Sequence, residues 1–376
     1  MSALTPTVYS FLSDLAGVDG RVVTAEDPDY DQTRAVFYGD IDKRPSAIVR
    51  VASVEDVQRV VAMARDEGLE LAIRSGGHST VGHSSTDGGI VIDLREMSAI
   101  EIDAEARTAW IGTGATALHV TQALSKHGLV IGFGDSGSVG VGGITLGGGI
   151  GFLVRKLGMS IDSVLAAEVV TADGRFRRVD LQHEPDLFWA LRGGGGNFGV
   201  VTRILFRLNS LTHFTGGMLV LPATPETIVA FAAAALIAPD GLSTIAAVMA
   251  APPMSFLPTE AHGRLVILAS MAFAGEDAAA ARALAPFRAI TTPLADMVKA
   301  VPYVMMYPPE DPSQRPTMLS RTTLFDSLDA ETAGTLCEFL SKPHAAMQWR
   351  SSASSAAPWR VYPRMRRRTR IDRSRS

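Results

Sequence analysis

Three glycine-dense stretches dominate the chain: RSGGHSTVGH (74–83), GDSGSVGVGGITLGGGIG (134–151) and RGGGGNFGVVT (192–202). Glycine loses more conformational entropy on folding than any other residue, so clusters of it mark places where something must approach the backbone closely. Such loops expose many unshielded backbone N–H groups, which suit a pyrophosphate or another extended phosphorylated ligand. Tight turns packed on one another explain a single loop equally well. Three loops in one stretch of chain, with Ser and Thr hydroxyls interleaved, point to a ligand.

At 376 residues the chain is long for one core, and two domains are the expectation. A net charge of −4 gives no global basis for binding nucleic acid or an anionic membrane. Cys337 is the sole cysteine, which rules out an internal disulfide or a cysteine-based metal cluster. The opening MSALTPTVYSFLSDL has neither a basic region nor a continuous apolar run, and no stretch approaches a membrane span. A cytoplasmic location is therefore expected. The last 26 residues, 351–376, are out of character, with eight Arg and one Asp. Such a run ordinarily reads as a nucleic-acid or membrane tail.

Short β-branched runs alternate with helical patterns. AIVRV (47–51), LAIRS (71–75), GIVIDL (89–94) and TAWIG (108–112) read as strands. SVEDVQRVVAMARDEG reads as a helix opened by a capping box of Ser53 and Asp56. ATALHVTQALSKHG (115–128) has helical periodicity and a terminal glycine. Asp173-Gly174 between two strand-like runs predicts a hairpin, and LFWALRGGGGNFGVVTRILFRL a helix, a glycine loop and a strand. Beyond Leu208 the glycine clusters stop. Ala-rich helices follow, one with Thr224 as N-cap and Pro225 at its first position, another at 329–342, with HGRLVILASMAF as an apolar strand. The mixture predicts an α+β protein, not a purely parallel sheet.

IGTGATALHV holds Gly112-x-Gly114-x-x-Ala117 between a strand and a helix, with Asp135 21 residues beyond Gly114. That imitates a dinucleotide fingerprint, but the acid lies in a glycine loop and not at the end of a second strand. A nicotinamide site is not expected. His78, at the centre of the first glycine loop, is open to three roles on spacing alone. It can be a hydrogen-bonded loop histidine, half of a metal site with His83, or a point of covalent attachment. No Asp, Glu or Cys pattern completes the metal alternative, so no metal is expected.

Residues from about Lys43 to Thr212 resemble the FAD-binding domain of the vanillyl-alcohol oxidase/PCMH superfamily, in its berberine-bridge-enzyme-like branch. The resemblance implies a PCMH-type FAD-binding domain of two α/β subdomains, about 1–208 with its core at 43–212. It also implies a substrate domain at 209–350, an antiparallel sheet covered by helices and incomplete at its C-terminal end. RSGGHS matches the segment whose histidine bonds to the 8α-methyl of the flavin, which places that role on His78. Arg74, Ser75, Gly76, Gly77, Ser79, Thr80, Gly82 and His83 would line the cofactor in the first segment. Asp135, Ser136, Val139, Gly140, Gly142, Gly143, Ile144, Gly148 and Gly149 would do so in the second, and Val201 in the third. The implied chemistry is oxidation of a CH–OH or similar C–H donor, with hydride passing to flavin N5 and O₂ as acceptor. The implied partners are a small-molecule substrate and O₂, with no nucleic acid and no membrane.

The departures from the family pattern are informative. Bicovalent members carry a cysteine where this chain has Ser136, so one covalent bond is expected, through His78. Plant members commonly carry His at the position of Ile144. Val139 matches the position that gates oxygen, where a small residue favours an oxidase over a dehydrogenase using another acceptor. The family's base comes late in the chain as Tyr or Glu; Tyr303 and Tyr307 are candidates by chemistry alone. Similarity fades after AAMQWR (345–350), and no Tyr-x-Asn-Tyr-like motif follows. Permissible codons for the tail give, in a shifted frame, a sequence similar to the family's continuation. Residues 351–376 are thus expected to be a frameshift product or disordered, and the encoded chain a truncated oxidase or an inactive remnant.

Overall fold

The structure, a computed structural model, describes residues 15–311, 313–318, 322–323 and 327–342. These residues form two compact units. Among the described residues, the first takes in 15–151, 159–211 and 304–318, and the second 152–158, 212–303 and 322–342. The change of texture after Leu208 lies close to the main crossing at Thr212. A single boundary does not describe the chain, because 152–158 and 304–321 each belong to the unit they are not contiguous with.

The first sheet of the first unit contains β1 (Arg21–Val23), β2 (Ala47–Arg50), β3 (Leu71–Arg74) and β4 (Ile90–Asp93), in the order β1-β2-β4-β3. β2 and β3 both run parallel to β4, and β1 is antiparallel to β2. All four residues of β4 are buried, as a central parallel strand covered on both faces requires. The strand period of two divides them. Ile90 and Ile92 join Ala47 and Val49 beneath the helix Val54–Asp66, while Val91 joins Val23, Ile48, Ala72 and Tyr30 on the other face. That helix buries Val57, Val60, Val61 and Ala64, one face of a 3.6-residue repeat. Ser53 caps it by accepting from the Asp56 N–H. The other half of the expected box is used elsewhere: the Asp56 carboxylate accepts backbone N–H bonds from Asp19, Gly20 and Ala52.

Along the chain follow β5 (Ile100–Asp103), β6 (Thr108–Gly112), β7 (Leu129–Val130), β8 (Val164–Val170), β9 (Phe176–Asp180), β10 (Val200–Arg207) and β11 (Asn209–Ser210). β5-β6-β10-β8-β9 form an antiparallel sheet, and β7 pairs with β11. The predicted hairpin is β8–β9, turning at Asp173-Gly174 with Gly174 at φ +77°. β6 is antiparallel to both neighbours, so the GTGATA stretch is not the turn of a βαβ unit.

The second unit is built on β12 (Phe214–Pro222), β13 (Leu242–Ala250), β14 (Leu265–Ala274), β15 (Ala295–Asp296) and β16 (Lys299–Ala300), an antiparallel sheet in the order β13-β14-β12-β15, with β16 also on β12. Leu219, Leu221, Ile267, Ala269 and Met271 face one side. There they meet the helices Pro225–Ile237, Asp277–Arg288 and Ala330–Ser341 through Ile228, Phe231, Ala283, Leu284, Phe287 and Ala333. Val220, Val266 and Leu268 face the other side with Met249 and Leu257. Thr224 caps its helix by accepting from the Thr227 N–H, with Pro225 at the first position as the sequence predicts. This is an α+β protein. The expected frameshifted tail, 351–376, lies outside the described residues.

Candidate functional site

Thr113, the residue after β6, ties the three glycine stretches together. Its carbonyl accepts the Ser75 hydroxyl from the first stretch and the Gly142 N–H, at 3.2 Å, from the second. Its own hydroxyl donates to the Val201 carbonyl, 2.6 Å away in the third. Each partner sits where an element ends or begins: Ser75 follows β3, Gly142 is the second residue of the short helix Val141–Leu146, and Val201 is the second residue of β10. The stretch rejected as a dinucleotide fingerprint is thus the hub of the site.

Two of the loops meet backbone to backbone. A Cβ on Gly76 would stand 2.2 Å from the Gly140 nitrogen, and one on Gly140 would stand 2.0 Å from the Gly76 nitrogen. No side chain fits at either position. Val139 accepts from the Ala117 N–H and Gly137 from the Leu118 N–H, which docks this loop on the helix Ala117–Ser125. Beside Gly143, by contrast, a Cβ would meet nothing within 4 Å. Gly148 and Gly149 have φ of +118° and +85°, and Ile144 reaches back to Gly134, whose Cβ would touch its Cδ1.

The first loop is held from beneath and from outside. Arg74 is 2% exposed and donates to the Thr33 carbonyl at 2.6 Å, while its Nε and Nη2 are buried without hydrogen-bond partners among the described residues. Burial lowers it to about 10, opposed by the Asp93 carboxylate. Lys43 donates to the carbonyls of Gly82 and Ser85, and Ser79 Oγ accepts from the His83 N–H. Gly77 and Gly82 have φ of +77° and +76°. Thr80 and His83 are exposed. Ser84, Ser85 and Thr86 bury three successive hydroxyls that have no hydrogen-bond partner among the described residues.

His78 is half-buried, its ring stacked on Phe37 at a centroid distance of 4.0 Å. Its Nε2 lies 2.8 Å from Ser138 Oγ. Burial lowers its pKa from the ordinary value, against the opposing charges of Glu310 and Asp135. No group of three or more metal-ligating side chains stands among the described residues.

Glu310 is the residue that motif reading misses. Its carboxylate accepts from Ser136 Oγ at 2.8 Å, from the Gly137 N–H at 2.9 Å, from the Ser138 N–H at 3.4 Å and from the Ser138 hydroxyl. Burial works to raise this carboxyl, but the hydrogen bonds from Ser138 and Ser136 outweigh it and the net shift is downward. The segment bearing Glu310 is pinned to the first unit where the Arg315 side chain donates to Val36 and Tyr38 and Gly39 donates to Pro316. Tyr307 is buried there, its hydroxyl donating to the Gly134 carbonyl at 3.2 Å. Tyr303, in the second unit, is buried with its ring edge-on to Phe214. Both candidate bases are thus packed.

The glycine cradle, the buried unpartnered hydroxyls and the open space beside Gly143 fit an extended phosphorylated cofactor. Residues 45–180 match the family model described as FAD binding domain. Among curated proteins, (R)-6-hydroxynicotine oxidase of Paenarthrobacter nicotinovorans is 40% identical over 202 residues, covering 54% of this chain and 44% of that protein. The FAD-linked oxidoreductase YgaK of Bacillus subtilis (strain 168) is 38% identical over 193 residues, 50% of this chain and 43% of that protein. The matched region thus spans less than half the length of these relatives. The solved structure of 6-hydroxy-D-nicotine oxidase from Arthrobacter nicotinovorans aligns with a TM-score of 0.72 at 31% identity, covering 77% of this chain and 63% of that one. Xylooligosaccharide oxidase from Myceliophthora thermophila C1 aligns with a TM-score of 0.75, 90% of this chain and 73% of that one, at 24% identity, a likeness of fold.

Proposed function

We propose, from the match of residues 45–180 to the FAD binding domain model, that the chain is the FAD-bearing part of an oxidase acting on a CH–OH or related C–H donor. The observation that carries the proposal is the convergence of all three glycine stretches on Thr113, with His78 set in the first of them. FAD bound there supplies the hydride acceptor, and the protein supplies binding and orientation. Ser75–Gly82 would hold the pyrophosphate through their backbone N–H groups, and the space beside Gly143 would admit the cofactor to within backbone contact.

His78 would be the single covalent anchor, since Ser136 cannot form a thioether. Bonded through an imidazole nitrogen to the 8α carbon, His78 would hold the flavin in place; the C–H proton, the N–H proton and the two electrons given up would leave on dioxygen as hydrogen peroxide. An imidazole kept neutral by burial has the lone pair this needs. Such a bond would raise the flavin's potential and keep the cofactor in place when the site opens to a donor. The relatives named as oxidases and the small Val139 support dioxygen as acceptor. The donor is a small molecule such as a sugar, an alcohol or a secondary metabolite, met in the cytoplasm.

Light-reduced flavoprotein mixed with aerated buffer tests the acceptor without knowledge of the donor. Fast reoxidation with stoichiometric hydrogen peroxide is the expected result. Slow reoxidation in air, with rapid electron transfer to a dye, would overturn the oxidase reading.

A further inference from the structure

The chain Glu310–Ser138–His78 decides which ring nitrogen of the histidine carries a proton. An ionised carboxylate only accepts hydrogen bonds, and a serine hydroxyl has a single proton. Glu310 takes that proton from Ser138, and takes the Ser136 hydroxyl proton as well. Ser138 Oγ therefore has only lone pairs left for the imidazole nitrogen 2.8 Å away. Nε2 must be the donor, and in a neutral ring the proton on Nε2 leaves Nδ1 with the lone pair.

We propose that Glu310, acting through Ser138, is a positioning residue that fixes His78 in the Nε2–H tautomer and makes Nδ1 the ring's nucleophile. The assignment rests on the reading of His78 as the flavin anchor and deepens it, by naming the carboxylate that directs the ring. Phe37 supports the same state from the ring face, since its stack fixes the imidazole plane while Ser138 fixes the rotation within it. The other charge facing His78 is Asp135, on the same loop as Ser138.

Full-length chain produced under riboflavin limitation and labelled with ¹⁵N-histidine tests the proposal directly. Long-range ¹H–¹⁵N spectra, with His78 assigned by its loss in His78→Ala, are expected to show protonated Nε2 and unprotonated Nδ1. In Glu310→Gln the amide can donate to Ser138, Ser138 can then donate to the ring, and the Nδ1–H form should become a major species. Glu310→Asp should restore the original tautomer, which a merely structural role would not require. A wild-type ring protonated on Nδ1, or an unchanged tautomer in Glu310→Gln, would overturn the proposal. Should Glu310→Gln not fold, Ser138→Ala reads the same link, and retention of a pure Nε2–H ring there would count against it. Failure of wild type to take up added FAD while showing the expected tautomer would sink the flavin reading and leave this one standing.

Discussion

Gly76 and Gly140 touch through their backbones, the nitrogen of each lying where the other's Cβ would be. This contact brings the loop that bears His78 against the loop that bears Ser138, where His78 Nε2 lies 2.8 Å from Ser138 Oγ.

Alanine at Gly76 or Gly140 should force the two loops apart and destabilise the protein by about 2–3 kcal/mol. Denaturant midpoints check this. Gly143→Ala makes the informative contrast, since a Cβ there meets nothing within 4 Å. It should leave folding unchanged or improve it by up to about 1 kcal/mol, as Gly→Ala within a helix does. Flavin retention should nevertheless fall, because the space beside Gly143 is assigned to the cofactor.

Thr113→Val keeps the shape of the hub and removes the hydroxyl that donates to Val201. About 0.5–1.5 kcal/mol of stability should be lost, the ordinary contribution of one hydrogen bond. Equilibrium unfolding of the variant beside the wild type measures it. An unchanged stability would mean that the third stretch is held by its sheet alone.

Asp56→Ala should cost about 3 kcal/mol, because the backbone N–H groups of Asp19, Gly20 and Ala52 lose their shared acceptor. Ser53→Ala, which removes only the N-cap, should cost about 1 kcal/mol. Reversal of that order in thermal or urea unfolding would show that the helix start matters more than the clasp on residues 19–20.

The pH dependence follows from the lowered His78 pKa. Between the folded value and the unfolded value near 6.5, the unfolded chain binds the extra proton. The contribution of His78 to stability is therefore complete above pH 6.5 and is lost as pH falls through the folded value. The stability difference between wild type and His78→Gln should shift against the wild type on acidification in that window. Glu310→Gln removes a charge that favours the imidazolium and should lower the His78 pKa further, as an NMR titration of its ring protons would show.

What the sequence disclosed and what it hid divide along sequence separation. The Val54–Asp66 helix, the Asp173-Gly174 hairpin and the Thr224-Pro225 start are written in neighbouring residues, and all three form. The glycine stretches and His78 were visible because clustered glycine is unusual, whatever it does. Thr113 was hidden inside a stretch that imitates another motif, and only its bonds to Ser75 and Val201 reveal its place. Glu310 lies 174 residues from Ser136, in a segment whose Pro and acidic residues read as an ordinary loop. Phe37 likewise meets His78 with no local signal. Asp56 misled, since its spacing from Ser53 fits a capping box while its carboxylate serves residues 19, 20 and 52.

The most direct test of the account is to precipitate the purified protein with acid and read flavin absorbance in the pellet and in the supernatant. Flavin is expected in the wild-type pellet and, in His78→Ala, in the supernatant. A colourless wild-type pellet beneath a yellow supernatant would contradict the covalent role of His78, and no flavin in either fraction would contradict the cofactor site itself.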